Sequence, residues 1–312
     1  MKYQFKKWFF DLNVEEESYI YFILVEIKFL FFKIRNFTFH SFHQPDGRFT
    51  TSRNIRLNID KGGWDNLDIK GEQLNIRHGN KNLYIISDFN DLKINLTFNH
   101  FQKEHSNEVF IILYKNKKIK WFPLPSFMTA TGTIEMNQKL LHIENAPAYI
   151  DHVFSDILPM NTPVLKMFWG RLLQPDIMLT YSIVFTPEGK QYSKCIVLMN
   201  QQQFSFTDIQ YRKIKGLPEG QENDKDDNVY QLIAGKGIST LSMIIYHHKT
   251  AAFGAFIDPG QYKFKSAFSL LNKISKNPRG KKFISKADII LDIPGYHYEK
   301  EKLVFIDEYV LF

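Results

Sequence analysis

The stretch APAYIDHVFSDILPMNTPVLKMFWGRLL (146–173) is the most informative part of this chain. It contains two motifs separated by two prolines, Tyr149-x-Asp151-His152 and Phe168-Trp169-Gly170-Arg171. Adjacent Asp and His residues are common in proton transfer, and the aromatic residues beside them suggest an apolar pocket. Spacing alone also allows a simpler reading, in which one strand ends, a proline-containing linker follows and a new strand begins.

The composition indicates a folded, β-rich protein. Of 312 residues, 44% are hydrophobic and 15% aromatic, including 29 Phe and 15 Tyr, which favour pleated and half-buried surfaces. The 16 Gly and 12 Pro are too few for a disordered or fibrous chain. The length fits one large domain or two domains of about 150 residues each.

Short apolar runs recur along the chain and are typical of strands. The run LKINLTF (92–98) alternates almost strictly, and similar runs recur every 8–12 residues or so, which predicts a sandwich or barrel. The very apolar segment 19–34 is interrupted by three charges, so it is interpreted as a pair of core strands rather than a membrane span. One short helix is predicted, over Lys265 to Ser275.

Two landmarks indicate an internal repeat. Trp8 and Trp169 are 161 residues apart, and Gly132 and Gly295 are 163 residues apart, each pair opening a similar local pattern. We therefore predict an all-β fold of two tandem antiparallel barrels packed together, with domains at residues 1–160 and 161–312. The stretch 146–173 then lies at the junction, where an interface or barrel mouth commonly forms a ligand site.

Charge and cysteine content limit the partners. The net charge is +7, but the basic residues form short scattered runs, so nucleic-acid binding is not expected, while weak attraction to anionic membrane surfaces stays open. The single cysteine, Cys195, lies in an apolar run and is interpreted as a buried, inert thiol. No signal peptide is apparent at the amino terminus, which favours a cytoplasmic protein that associates with membranes peripherally at most. The sequence does not indicate an oligomeric state.

Ordered motifs along nearly the whole chain resemble the hydroxyneurosporene synthase family, also called carotenoid 1,2-hydratases, which includes AttH-like relatives. They are Trp8-Phe9-Phe10-Asp11, Pro45-Asp46-Gly47, Gly132-x-Ile134, Tyr149-x-Asp151-His152, Phe168-Trp169-Gly170-Arg171 and Gly295-Tyr296-x-Tyr298-Glu299. The resemblance implies a tandem lipocalin-like (calycin) fold with a large apolar cavity for a polyene or isoprenoid. It further implies, for hydratase members, addition of water across a terminal double bond without a redox cofactor. More distant relatives include tocopherol cyclase and fungal pericyclases that act on polyketides.

The chain departs from the pattern of that family at two places. The family commonly has Asp-His-x-Trp-Gly, whereas this sequence has DHVFS at 151–155. The hydratases also carry an aspartate, implicated in proton transfer, in the strand that corresponds to LTYSIV (179–184), which has no carboxylate here. We therefore interpret the chain as a diverged member of the family.

The predicted chemistry is protonation of a carbon atom, followed by capture of the resulting cation. The candidate acids are His152 and Asp151, but successive strand residues point to opposite faces, so only one of them is expected to face a lumen. We favour His152, with Asp151 capping a loop or pairing with Arg171. The predicted ligand-binding residues are Tyr149, Phe154, Phe168, Trp169, Arg171 and Tyr181. Among them, Phe154, Phe168 and Trp169 offer aromatic faces for the cation, and Tyr149 or Tyr181 holds the water.

No metal site and no cofactor are predicted. The pair His247-His248 is interpreted as partly exposed, because adjacent strand residues diverge and no further ligands are evident. Three functions remain open. The first is a cofactor-independent enzyme that hydrates, cyclises or isomerises an apolar polyene, isoprenoid or polyketide. The second is a non-catalytic carrier of such a ligand, and the third is a structural protein whose barrels are packed solid.

Overall fold

The computed structural model describes residues 3–15, 18–30, 32–43, 49–101, 110–124, 126–158, 161–200, 202–216, 228–255 and 279–311. Within them the regular secondary structure is almost entirely strand, and a turn of 3₁₀ helix lies at Trp64–Asn66. The strands are β1 (Tyr3–Glu15), β2 (Ser18–Phe29), β3 (Phe32–His43), β4 (Phe49–Arg56), β5 (Ile59–Gly63), β6 (Asp68–Gly71), β7 (Leu74–His78), β8 (Asn82–Phe89), β9 (Leu92–Asn99), β10 (Phe110–Tyr114), β11 (Lys117–Pro123), β12 (Met128–Met136), β13 (Lys139–Ser155), β14 (Lys166–Leu173), β15 (Ile177–Phe185), β16 (Gln191–Met199), β17 (Gln202–Phe206), β18 (Ile209–Lys215), β19 (Val229–Lys236), β20 (Ser239–Ala255), β21 (Arg279–Ile293) and β22 (Tyr296–Leu311).

The chain divides into two compact units. The first unit is Met1–Ile157 with Leu173–Pro175, and the second unit is Leu158–Leu172 with Asp176–Phe312. Each unit contains one antiparallel sheet, which is described separately below.

The sheet of the first unit has the strand order β4-β3-β2-β1-β13-β12-β9-β8-β7-β6-β5, and the β10–β11 hairpin joins it through pairing of β11 with β13. Its two edge strands, β4 and β5, are consecutive in the chain and are separated by residues 57 and 58 only. Three Cα–Cα steps span at most about 11 Å, so the two edges must come together and the sheet must curl into a barrel. Alternate side chains fill its interior, including Trp8, Phe10 and Leu12 of β1.

The sheet of the second unit has the order β17-β16-β15-β14-β22-β21-β20-β19-β18. Its edge strands β17 and β18 are again consecutive and separated by two residues, 207 and 208, which closes this sheet in the same way. Phe168 and Leu172 of β14 belong to the interior cluster, together with alternate residues of β15 such as Leu179 and Tyr181.

The order of the strands in the two sheets supports an internal repeat, but the residues that suggested the repeat are not equivalent in the two units. In both units the first four strands run in order to one edge, while the last strand pairs with the first. Gly132 lies inside β12, however, whereas Gly295 lies in the turn between β21 and β22, so the two glycines are not equivalent. Trp8 faces the interior of its unit, whereas Phe168 rather than Trp169 does so in the other. An offset of 160, which aligns Trp8 with Phe168, keeps both side chains facing inward. The offset of 161 used to identify the repeat differs from it by one residue.

The predicted architecture of two antiparallel, barrel-like units is confirmed. The segment predicted as a core strand pair forms most of β2 and the start of β3, with Ile20, Phe22 and Leu24 buried. The predicted helix at 265–275 and the Pro45-Asp46-Gly47 motif lie outside the described residues. No helix in the described part of the chain is long and apolar enough to cross a bilayer.

Candidate functional site

The structure distributes the predicted site residues over both units. Those on β13, in the first unit, are Tyr149, Asp151, His152 and Phe154. Those on β14 and β15, in the second unit, are Phe168, Trp169, Arg171 and Tyr181.

His152 lies on the inner face of the first unit. It pairs across the strands with Trp8 on one side and with Phe122 on the other. The imidazole stacks on the Trp8 indole with ring centroids 4.3 Å apart and on the Phe122 ring at 5.6 Å. Only 6% of the residue is exposed. Phe154, two residues along the strand, lies on the same face because strand side chains alternate.

Asp151 and Tyr149 lie on the opposite face of β13 and are fully buried. The indole N–H of Trp121 donates a hydrogen bond of 3.2 Å to Asp151 Oδ2. Asp151 and His152 therefore point to opposite faces of the strand, so they cannot act together on one ligand within this unit. Arg171, the predicted partner of Asp151, belongs to the second unit, and that pairing stays a prediction.

The two faces of β14 also carry different residues. Phe168 lies on the inner face, with its ring 4.8 Å from that of Tyr309 and 4.5 Å from that of Tyr211. Trp169 and Arg171 share the other face, where the guanidinium carbon of Arg171 lies 5.0 Å from the Trp169 ring centroid. Burial lowers the pKa of Arg171 to about 9, against the opposing effect of the carboxylates of Glu308 and Asp307.

Gly170 makes room for aromatic rings inside the second unit. A Cβ atom at this position would lie 2.5 Å from Phe305 Cζ and 2.6 Å from Tyr181 Cε1. These two rings stack at 5.9 Å, and neither is exposed to solvent. Asp307 is the residue directly opposite Gly170 on β22. The glycine of the Phe-Trp-Gly-Arg motif thus has a packing function beside a buried carboxyl group.

A second group of polar side chains, not among the predicted site residues, surrounds Asp307. His247 Nε2 lies 2.5 Å from Asp307 Oδ2, and the Ser285 hydroxyl donates to Asp307 Oδ1 at 2.6 Å. All three residues are at most 5% exposed. With Asp307 ionised, both of its oxygens accept and His247 Nε2 is the donor, so the lone pair of a neutral imidazole is on Nδ1. Nδ1 is buried and makes no hydrogen bond within the described residues.

Aromatic rings pack around His247. The imidazole stacks on Phe283 at 4.1 Å and lies 4.7 Å from the Tyr230 ring. Tyr230 in turn stacks on Tyr211 at 5.3 Å, and Tyr211 lies 6.1 Å from Tyr181. An imidazole with an available nitrogen is therefore enclosed by aromatic faces, the environment that stabilises a carbocation.

The hydroxyls of Tyr181 and Tyr211 remain protonated at neutral pH. Burial raises the pKa of Tyr181 well above its usual value, and the charge of Asp307 raises it further. Burial and the neighbouring Tyr181 likewise raise the pKa of Tyr211. The two hydroxyls are neighbours, but neither makes an ordinary hydrogen bond within the described residues. They can therefore donate to a ligand or hold a water molecule.

We call the residues Phe168, Tyr181, Tyr211, Tyr230, His247, Phe283, Ser285 and Asp307 the His247 cluster. Only Phe168 and Tyr181 of this set are among the predicted site residues, and the interpretation of His247 as partly exposed is wrong, since 5% of it is exposed. The signal that could have identified His247 as buried is the alternation of inward and outward side chains along the strand. Leu241, Met243 and Ile245 precede it on the buried face of β20, so the next odd-numbered residue faces inward.

Two further features concern ligands other than an apolar molecule. In the described part of the chain, no three His, Cys, Asp or Glu side chains come together as metal ligands. A polar groove of about 470 Å³ opens on the first unit, and its lining includes Asp68, Arg77 and His78 but none of the predicted site residues.

Comparison with known proteins defines the fold. The sequence matches no protein-family model and none of the curated proteins. The structure resembles CghA with Sch210972, with a TM-score of 0.62 and 9% identity over 100% of this chain and 89% of that one. It resembles kievitone hydratase from Nectria haematococca with a TM-score of 0.56 and 8% identity, covering 98% and 88% of the two chains. An AttH-type protein from Nitrosomonas europaea matches with a TM-score of 0.54 and 8% identity, covering 100% and 92%.

These similarities extend over the whole chain and confirm the predicted lipocalin-like fold of AttH type. At 8–9% identity they concern the fold alone. The assignment to carotenoid hydratases in particular stays a prediction.

Proposed function

We propose that the second unit binds an apolar polyene, isoprenoid or polyketide and hydrates, cyclises or isomerises it by proton transfer at His247. The observation that carries this proposal is a buried imidazole, held by Asp307 through Nε2, whose Nδ1 has no partner within the described residues. Structural histidines in a core normally use both ring nitrogens, because an unsatisfied buried polar atom costs about 1–3 kcal/mol.

For hydration, protonated His247 transfers the Nδ1 proton to one carbon of a double bond, and the π electrons form the new C–H bond. The resulting cation lies against the rings of Phe283 and Tyr230, which stabilise its charge. A water molecule held by the Tyr181 or Tyr211 hydroxyl adds to the cation, and its surplus proton returns to Nδ1. In a cyclisation or isomerisation, a second double bond or loss of a proton to Nδ1 replaces the water.

Asp307 and Ser285 act as positioning residues. The carboxylate fixes the orientation of the ring and balances the charge of an imidazolium, while the Ser285 hydroxyl fixes the carboxylate. In catalytic triads, a carboxylate likewise accepts a hydrogen bond from one ring nitrogen of a histidine, so that the other nitrogen faces the reactant.

The predicted acid of the first unit, His152, is a second candidate for the same chemistry. Its position between the rings of Trp8 and Phe122 favours it, because these rings would also stabilise a cation. If His152 is the acid, His152→Ala abolishes conversion but preserves binding, and the same experiment tests this outcome.

The test is mass spectrometry of the apolar molecules that co-purify with the protein. We expect wild-type protein to carry a product and His247→Gln protein to carry its unconverted precursor. For a hydration, the masses of the two molecules differ by one water. For an isomerisation or cyclisation, the masses are equal and the chromatographic retention differs. Adding wild-type protein to that precursor in heavy water should place one deuterium on carbon. His142→Gln, at an exposed position on β13, is the matched control.

Identical molecules in wild-type and His247→Gln protein, with no deuterium incorporated, would contradict catalysis at His247 and favour the carrier function. Conversion lost in His152→Ala but retained in His247→Gln would instead locate the acid in the first unit.

A further inference from the structure

The β10–β11 hairpin exposes large apolar side chains. It consists of β10 (Phe110–Tyr114) and β11 (Lys117–Pro123), and among the described strands β10 pairs with β11 alone, as an edge strand. Leu113 is 67% exposed and Ile111 is 42% exposed. Single exposed aliphatic residues are common on soluble proteins, but two on alternate positions of one edge strand form a continuous apolar strip.

Strand register places lysines beside this strip. Ile111 pairs with Lys120, and Leu113 pairs with Lys118, so the four side chains share one face of the hairpin. Lys115 at the turn lies over the Tyr114 ring, with Nζ 5.4 Å from the ring centroid. The sequence FIILYKNKKIKWFP (110–123) contains four lysines and no acidic residue. We call the face of Ile111, Leu113, Lys118 and Lys120 the hairpin face.

The hairpin face continues into the inner face of the first unit. Phe122 follows Lys120 by two residues on β11 and therefore lies on the same side, with Lys120 Nζ 5.7 Å from its ring centroid. Phe122 pairs with His152 on β13 and stacks on it. One face of the sheet thus runs from exposed aliphatic and basic residues to buried aromatic ones.

We propose that the hairpin face docks on an anionic lipid bilayer. Exposed aliphatic side chains insert among the acyl chains, aromatic residues favour the headgroup level, and lysines extend to anionic headgroups with their methylene stems in apolar contact. The charge complementarity favours an anionic bilayer over a second copy of this basic chain, which would bring lysines against lysines.

The experiment is co-sedimentation of the full chain with vesicles of phosphatidylcholine, with and without phosphatidylserine, at low and high salt. We expect binding that requires phosphatidylserine and weakens with salt. Lys118→Gln with Lys120→Gln should weaken binding about 30-fold, since each lysine near an anionic surface contributes about one kcal/mol. Leu113→Ser should weaken it by about tenfold through loss of a buried aliphatic group. Circular dichroism checks that the variants are folded.

The matched control is Lys236→Gln with Ile238→Ser, at the end of β19 and in the turn that follows it in the second unit. Ile238 is 79% exposed, so this turn offers a similar combination of charge and apolar surface elsewhere. Equal loss of binding in the control would overturn the proposal, as would the absence of vesicle binding in wild type. A hairpin variant that lowers the oligomeric state without affecting vesicle binding would show that the face contacts another copy instead, which also overturns it. Vesicle binding requires neither His247 nor turnover, so His247→Gln should bind vesicles like wild type.

Discussion

Replacing Gly170 with alanine should destabilise the second unit by crowding two buried rings. The added Cβ would lie 2.5 Å from Phe305 Cζ and 2.6 Å from Tyr181 Cε1, so these atoms must retreat by about 0.8–0.9 Å to reach an ordinary contact of 3.4 Å. Neither ring has any exposure, and a shift of either one displaces its neighbours in the core. The same change would move Tyr181 within the His247 cluster.

The magnitude follows from two opposing contributions. Overpacking of a dense core costs about 1–3 kcal/mol. Replacing glycine by alanine also reduces the entropy of the unfolded chain, which raises the free energy of unfolding by about 0.4–1 kcal/mol. We therefore expect a net loss of about 1–2 kcal/mol in the free energy of unfolding. For a unit of about 150 residues this corresponds to a fall of about 2–8 °C in the unfolding midpoint.

The assay is thermal and urea unfolding monitored by circular dichroism, with Gly235→Ala as the control. Gly235 is also a strand glycine of the second unit, but the nearest atom to its added Cβ is Ser239 O at 4.0 Å, so no crowding results. The double variant Gly170→Ala with Phe305→Leu should lose less free energy of unfolding than the sum of the two single losses. The reason is that leucine is smaller than phenylalanine and leaves room for the added Cβ. If Gly170→Ala and Gly235→Ala unfold at the same midpoint, the packing role of Gly170 is refuted.

Two further predictions concern the first unit. Trp121→Phe removes the donor to buried Asp151 Oδ2 and should lower the free energy of unfolding by about 1–3 kcal/mol in urea titrations, whereas an unchanged midpoint would show that this hydrogen bond contributes nothing. The pKa of Glu26 is lowered: burial acts to raise it, but the hydrogen bonds from Arg35 and Lys28, together with the charges of Lys28 and Lys33, outweigh burial. A lowered carboxyl pKa contributes stability that is present above the unfolded pKa and lost as the pH falls through the folded value. Glu26→Gln should therefore flatten the decline of the urea midpoint between neutral and acidic pH, and an identical decline in both proteins would contradict this role.

The alternation of side chains in this sequence predicts which residues share one face of a strand. It does not predict which residues of two strands or two units correspond. Alternation alone separates Asp151 from His152, and the structure places them on opposite faces of β13. The repeat argument compared Trp8 with Trp169, and that offset differs by one residue from the one that keeps side chains on the inner face. Because strand side chains alternate with a period of two, a single residue is enough to exchange inside for outside.

The His247 cluster illustrates why the site itself was harder to predict. The inward direction of His247 follows from the buried residues before it on β20, but its partner Asp307 is 60 residues further along the chain. Their approach depends on the registers of β20, β21 and β22, and irregularities at His247/Lys249 and Ala287/Ile289 shift those registers. A bulge is a local backbone event that a side-chain pattern does not specify, so the pairing could not be read from the sequence.

The pairing of the first strand of each unit with its last has a consequence for folding. Phe5 of β1 lies opposite Ser155 of β13, and Lys166 of β14 lies opposite Leu311 of β22, so each sheet is completed by contacts between residues about 150 positions apart. Contacts of such high sequence separation make folding slow, since the chain loses loop entropy before it gains the contact. On the ribosome, the edge of β1 that pairs with β13 has no partner until almost the whole first unit has been synthesised. During that interval the nascent chain presents one unpaired edge of β1, so we expect a chaperone present during synthesis to raise the yield of folded protein.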